Sequence, residues 1–435
     1  MLKDNWLVFI IVFIMIIAII INILYKAKDI KFNNLLIFTS LVIFWLPIQM
    51  ILGDGIGNIP RSKWTTPILF ALFQLTQSVF RLPFGILSNK LNSRKIPIQL
   101  GTTIFMFTAI ISIASVFSNW SLFLVVFGAG VFGSLFGLEN QYWAENWNKK
   151  RAFYSTIIMF CIPMISSSLG TLVNLYSPVH SDYVIAKNPV FKWSFISVIC
   201  INFIVFIFYS LSKEQKETIV LDKKTNDPNF IDKTKVKKST IKLCFMIILV
   251  SFASSLINNL VIKELFDKNN KYWELIKPII PLLTVSCVAV SILYLIPLMG
   301  IGFVKFFSLF TIFLGSFIFL IVVATGSNLY TLETISILMI IIGASIFQTT
   351  LSGMALHLDL KFPALILGIF LSLKSFSIGS STLISGEMVS YLSHKDLTLA
   401  ISISCFVIIT LLSGFVILTH KRMKDLNNSI IKYEF

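Results

Sequence analysis

The chain carries thirteen apolar runs, each long enough to cross a bilayer as a helix of about 20 residues. They fall near 6–25, 34–54, 65–88, 97–117, 120–141, 153–176, 193–212, 243–262, 276–298, 303–325, 331–353, 363–390 and 397–419. With 56% apolar and 13% charged residues, no soluble surface could cover such a chain, so water is excluded as its main solvent. The expected fold class is therefore an all-α membrane protein. Twelve runs pair into two six-helix transmembrane bundles, and the first is an extra N-terminal transmembrane helix. That first run is too long for a cleaved signal peptide, and no small-residue cleavage pattern precedes Lys26.

The longest polar stretch divides the twelve core runs six and six. It mixes Lys with Glu214, Glu217, Asp222, Asp227 and Asp232, contains Pro228, and reads as a solvated linker. The domain reading follows: 1–33, the extra helix and a basic loop; 34–212, an N-terminal six-helix bundle; 213–240, a cytoplasmic linker; 241–420, a C-terminal six-helix bundle; 421–435, a basic cytoplasmic tail. Most of the 36 basic residues fall on one side if the N-terminus is outside and the C-terminus cytoplasmic. The positive-inside bias thus accounts for the net charge of +16 without any nucleic-acid partner, and the plasma membrane is the expected location.

Between the second and third core runs lies GILSNKLNSRK, Gly85 to Lys95. A polar, cation-rich stretch this short joins two membrane helices by a tight hairpin, which suits gating rather than catalysis. Here the chain resembles the major facilitator superfamily, whose signature reads G-x-x-x-D-[RK]-x-G-R-[RK]. Gly85, Lys90, Arg94 and Lys95 match it, while Asn89 stands for the aspartate and Ser93 for the glycine. A second stretch, Ala144, Glu145, Trp147, Arg151 and Ala152, echoes the superfamily's A-E-W-x-x-x-R pattern. The resemblance implies that Gly85, Asn89, Lys90, Arg94, Lys95, Glu145 and Arg151 latch and release two bundles. An internal offset of 215 residues supports two related halves, because it sets Gly85, Ile86 and Lys90 on Gly300, Ile301 and Lys305, and Gly128, Ala129 and Phe132 on Gly343, Ala344 and Phe347.

Gly130, Gly133 and Gly137 sit at i, i+3 and i+7, the spacing of one helical face where backbones approach closely. A charge near mid-membrane costs on the order of 3 kcal/mol on insertion scales, so Arg81, Glu139 and Lys374 stand out as candidates for substrate or ion coupling. Arg81 and Glu139 lie at similar depth on helices of the same direction and could pair. Lys374 is eleven residues past Pro363, about 16 Å into the membrane. Uncharged candidates are Gln49, Asn140, Asn258, Asn259 and Gln348, on helices that line the central cavity in the family.

Enzyme chemistry finds no support. The histidines His180, His357, His394 and His420 fall at loops or helix ends without ligand-spaced partners, and the five cysteines sit in separate apolar runs, the placement of thiols in lipid-facing or core packing. No cofactor and no metal site are expected. The reading is a secondary active transporter working by alternating access. Two cations against one carboxylate favour an organic anion or zwitterion as the small-molecule solute, with a coupling proton or cation at Glu139. The alternatives are a cation or drug exporter of the same fold, or a non-transporting receptor or lipid-handling membrane protein.

Overall fold

The computed structural model describes residues 6–26, 65–114, 119–147, 152–176, 189–211, 233–267, 278–326, 330–358, 363–391 and 394–434. Among them every regular element is helical, as lipid demands, since a helix satisfies its backbone polar groups within the segment. In chain order these are α1 (Trp6–Lys26), α2 (Thr65–Leu91), α3 (Lys95–Ala114), α4 (Asn119–Gly133), α5 (Phe136–Trp147), α6 (Ala152–Tyr176), α7 (Pro189–Leu211), α8 (Lys233–Asp267), α9 (Ile279–Val290), a π-helical turn (Ser291–Leu295), α10 (Ile296–Thr325), α11 (Tyr330–Leu358), α12 (Pro363–Tyr391) and α13 (His394–Glu434). Eight stretches of the described residues are long and apolar enough to cross a membrane. Large apolar side chains such as Leu298, Leu418 and Phe203 lie exposed, the pattern of a surface solvated by lipid tails. The expected span 34–54 lies outside the described residues.

The chain divides into two compact units, Met1–Trp147 with Ile158–Lys216 and Asn269–Ser286, and Asn148–Ile157 with Glu217–Lys268 and Cys287–Phe435. In the first, α4 packs against α2 and α3, and α3 also packs against α7. Glycines make these approaches close: a Cβ on Gly128 would strike Thr108 of α3, and one on Gly130 would meet Thr76 and the Phe73 carbonyl of α2. In the second unit α10 packs on α11 and α13, while α8 packs on α11, α12 and α13. Gly343 repeats the role of Gly128, because a Cβ there would lie 2.9 Å from the Ser308 carbonyl oxygen of α10.

Five sequence expectations change. The fourth core helix is not continuous from 120 to 141, since α4 stops at Gly133, a turn follows at Ser134 and Leu135, and α5 restarts at Phe136. Clustered glycines weaken the helix there, and the Ser134 hydroxyl donates to the Val131 carbonyl in competition with the backbone. Gly137 therefore does not continue the face of Gly130 and Gly133. The hairpin turn lies at Asn92, whose φ of 46° is left-handed backbone that asparagine tolerates, and Gly85 is a buried residue inside α2. In the second half Gly300 itself is the break, with φ 86° and ψ 160° inside α10, a conformation open to glycine. The 215-residue correspondence thus holds for the packing glycines and fails for the turns. Finally, α8 begins at Lys233, ahead of the apolar run at 243, because its lysine-rich approach has no Gly or Pro to stop a helix, and α13 extends through the segment read as a tail to Glu434.

Packing predicts a matched pair of variants. Gly343→Ala presses a methyl onto a backbone carbonyl that cannot move aside and lowers the thermal unfolding temperature of the purified protein. Gly414→Ala, with nothing within 4 Å of the added carbon, leaves it unchanged or raises it through helix propensity, worth about 1 kcal/mol.

Candidate functional site

In the first unit, Arg81 of α2 is buried and its Nη2 donates to Gln77 Oε1 at 2.7 Å, one helical turn away. Gln77 in turn fills the space left by Gly133, where a Cβ would lie 2.8 Å from its Nε2. The glycine on α4 therefore makes room for the amide that holds the cation. Glu139 sits in the first turn of α5, where the helix dipole favours negative charge. It is fully buried, and neither carboxylate oxygen has a hydrogen-bond partner among the described residues. The Arg81–Glu139 pair that the sequence allows is therefore not formed: Arg81 donates to Gln77 of its own helix, and the break at Ser134 interrupts the helix ahead of Glu139. Asn140 is buried beside it, and Tyr209, which meets Tyr142 edge to face at 5.8 Å, lies within electrostatic reach of Glu139.

The first hairpin is held by neutral groups. Arg94 Nη1 donates to Ser88 Oγ at 2.8 Å and to Asn89 Oδ1 at 3.1 Å. Ser93, standing where the signature has glycine, caps α3 by accepting the Ile96 amide. Lys95 Nζ donates to the Ser210 carbonyl at the end of α7, at 2.6 Å, a cation placed where a helix C-terminus favours one. Lys90 is exposed.

At the second break, which the 215-residue offset sets opposite the first hairpin, Lys305 has a partner that the sequence did not disclose. Lys305 is almost completely buried, and its Nζ lies 3.4 Å from Asn427 Oδ1 on the extension of α13. Side chains at Gly300 and Gly302 would meet Ile431 and His420 of the same extension, and Phe306 packs on the His420 ring at 4.8 Å. His420, Met423, Asn427 and Ile431 recur at helical spacing, the signal from which this face could have been read.

Lys374 lies half-buried on α12. Near it, Gln348 Nε2 of α11 donates to Ser254 Oγ of α8 at 3.3 Å, and Ser255 Oγ of α8 donates to the Ile378 carbonyl of α12 at 3.5 Å. Ser254 and Ser255 thus join α8 to α11 and α12, a role that neither charge nor amide content marks in the sequence. Gln49 and Arg151 lie outside the described residues, as do the side chains of Asn258, Asn259 and Glu145. Among the described residues no three His, Cys, Asp or Glu side chains are grouped to hold a metal.

Altering either clasp has a measurable result. Asn89→Asp makes the Arg94 contact charge-assisted and raises the unfolding temperature. Asn427→Ala strands a buried cation and destabilises the protein by about 2 kcal/mol, read as a lower unfolding temperature in detergent.

Comparison with known proteins places this architecture. The Major Facilitator Superfamily sequence profile matches residues 32–357. The uncharacterized transporter BU466 of Buchnera aphidicola subsp. Acyrthosiphon pisum (strain APS) is 28% identical over 157 residues, 35% of this chain and 37% of that protein, so the chain spans little more than a third of the relative's length. Three solved structures share the fold at low identity. The human organic anion transporter MFSD10 (TETRAN) has a TM-score of 0.62 and 12% identity over 88% of this chain and 100% of its own. A point variant of the E. coli fucose:proton symporter FucP has a TM-score of 0.58 and 13% identity over 88% and 98%. A double-Trp mutant of XylE has a TM-score of 0.64 and 12% identity over 92% and 98%. With three quarters of its length matched by the family profile and the fold of these structures, the chain is an integral membrane protein that belongs to the Major Facilitator Superfamily.

Proposed function

We propose that this protein is a secondary transporter that moves a small organic anion or zwitterion by alternating access, with Lys374 drawing the solute and Glu139 carrying the coupling proton or cation. The observation that carries this reading is the Glu139 carboxyl, fully buried with both oxygens unpartnered among the described residues. A group so placed is costly to keep in a bilayer and serves no packing need, so it marks an ion pathway. Lys374, half-buried in a serine-rich bundle, supplies the positive charge that an anion requires. The Asn89–Arg94 and Lys305–Asn427 clasps are the elements that lock and release the states. The two bundles are taken as 34–212 and 241–420, in the plasma membrane with the N-terminus outside. The likeness to MFSD10, whose name describes an organic anion transporter, agrees with the charge argument.

Two variants test it. Purified protein is stabilised against heat by an organic anion, because a ligand stabilises the state it binds, and Lys374→Ala abolishes that stabilisation. Stabilisation by cations or lipids alone overturns the anion assignment. Glu139→Gln removes the pH dependence of uptake into proteoliposomes, and uptake with an unchanged pH profile ends the coupling role.

A further inference from the structure

Serine and threonine hydroxyls in membrane helices satisfy themselves on carbonyls one turn back, and in the second unit Thr349, Thr350, Ser352, Thr382 and Ser404 do so at 2.7–2.9 Å. Ser251 of α8 is an exception. It is completely buried, and its Oγ has no hydrogen-bond partner among the described residues. Its direction follows from its neighbours. Ser254 meets Gln348 of α11, and Ser255 meets Ile378 of α12. At about 100° per residue, Ser251 lies about 60° from the first and 40° from the second. It therefore points into the crevice between α11 and α12, which also pack on each other.

Lys374 shares that level. Three apolar crossings separate α8 from α12, the two arms of the run broken at Gly300 and then α11, so α8 and α12 run in the same direction. Ser255 lies against Ile378; one turn earlier on each helix, about 6 Å along, come Ser251 and Lys374. The α11 segment at that level carries Gln348 and Ser352. A cation, an unspent hydroxyl and an amide thus lie at one level of three packed helices.

We propose that this crevice is an oxyanion subsite, in which Lys374 pairs with a carboxylate or phosphate of the solute and the Ser251 hydroxyl donates to one of its oxygens. The proposal deepens the transport reading and rests on it. Ser372 is the other unpartnered buried hydroxyl of this unit among the described residues, but it lies two residues from Lys374, about 200° around α12, and so serves as a control.

The test is thermal unfolding of the full-length protein in detergent, titrated with succinate or inorganic phosphate against chloride at matched ionic strength. In the wild type one or both oxyanions raise Tm in a saturable manner, and which one does so separates a carboxylate from a phosphate site. Lys374→Gln abolishes the rise. Ser251→Ala raises Tm without ligand, because an unsatisfied buried hydroxyl is removed, yet weakens apparent oxyanion affinity by about tenfold, the scale of a hydrogen bond to a charged group. Ser251→Thr, which keeps the hydroxyl, retains affinity, and Ser372→Ala leaves it unchanged. If Ser251→Ala lowers the unliganded Tm or binds as the wild type while Lys374→Gln does not bind, the serine assignment falls and the anion reading stands. If no oxyanion protects beyond chloride, or Lys374→Gln is protected equally, both fall together.

Discussion

Inside a bilayer no water is present to satisfy a stray polar group, and this constraint shapes the protein at every level. It turns the described chain into helices and bends hydroxyls back onto their own backbones, as at Thr102 on Ile98 and Ser166 on Ile162. It also gives glycine its work. With little hydrophobic drive between helices in lipid, close contact of backbones replaces it, and Gly128, Gly130 and Gly343 bring helices to distances that a methyl group would forbid. Against this general satisfaction of hydroxyls, the buried groups left over, Glu139 and Ser251 among them, carry information.

Much of this was legible in the sequence. Apolar runs marked most described helices, and the signature residues around Gly85 pointed to the superfamily. The isolated charges Arg81, Glu139 and Lys374 stood out because charge is rare in such surroundings. Details that hang on local competition were less visible. The break at Ser134 depends on a side chain diverting a backbone carbonyl, and the period of the apolar pattern runs straight across it. Arg81 and Glu139 share a depth, but depth does not fix azimuth, and Gln77 captures the cation first. Ser251 is an ordinary serine by composition; its significance comes from what it fails to touch. The two departures from the hairpin signature became intelligible as well: Ser93 caps a helix, and Asn89 accepts from Arg94 without a charge.

The two hairpins reach the same end by different routes. In the first, cation and carboxamide are neighbours in sequence. In the second, the carboxamide comes from the extension of α13, and Gly300 and Gly302 leave room for that extension to lie against the turn. Local and distant devices therefore do equivalent work in the two units.

The distant route sets an order of events during synthesis. Lys305 and Asn427 are 122 residues apart, so at about 10 residues per second of elongation the second turn waits on the order of ten seconds for its clasp. In that interval the Lys305 ammonium lacks the carboxamide that later shields it, while the first hairpin, with Asn89 and Arg94 only five residues apart, closes as soon as it emerges. The first turn is self-sufficient at birth, and the second is completed retrospectively.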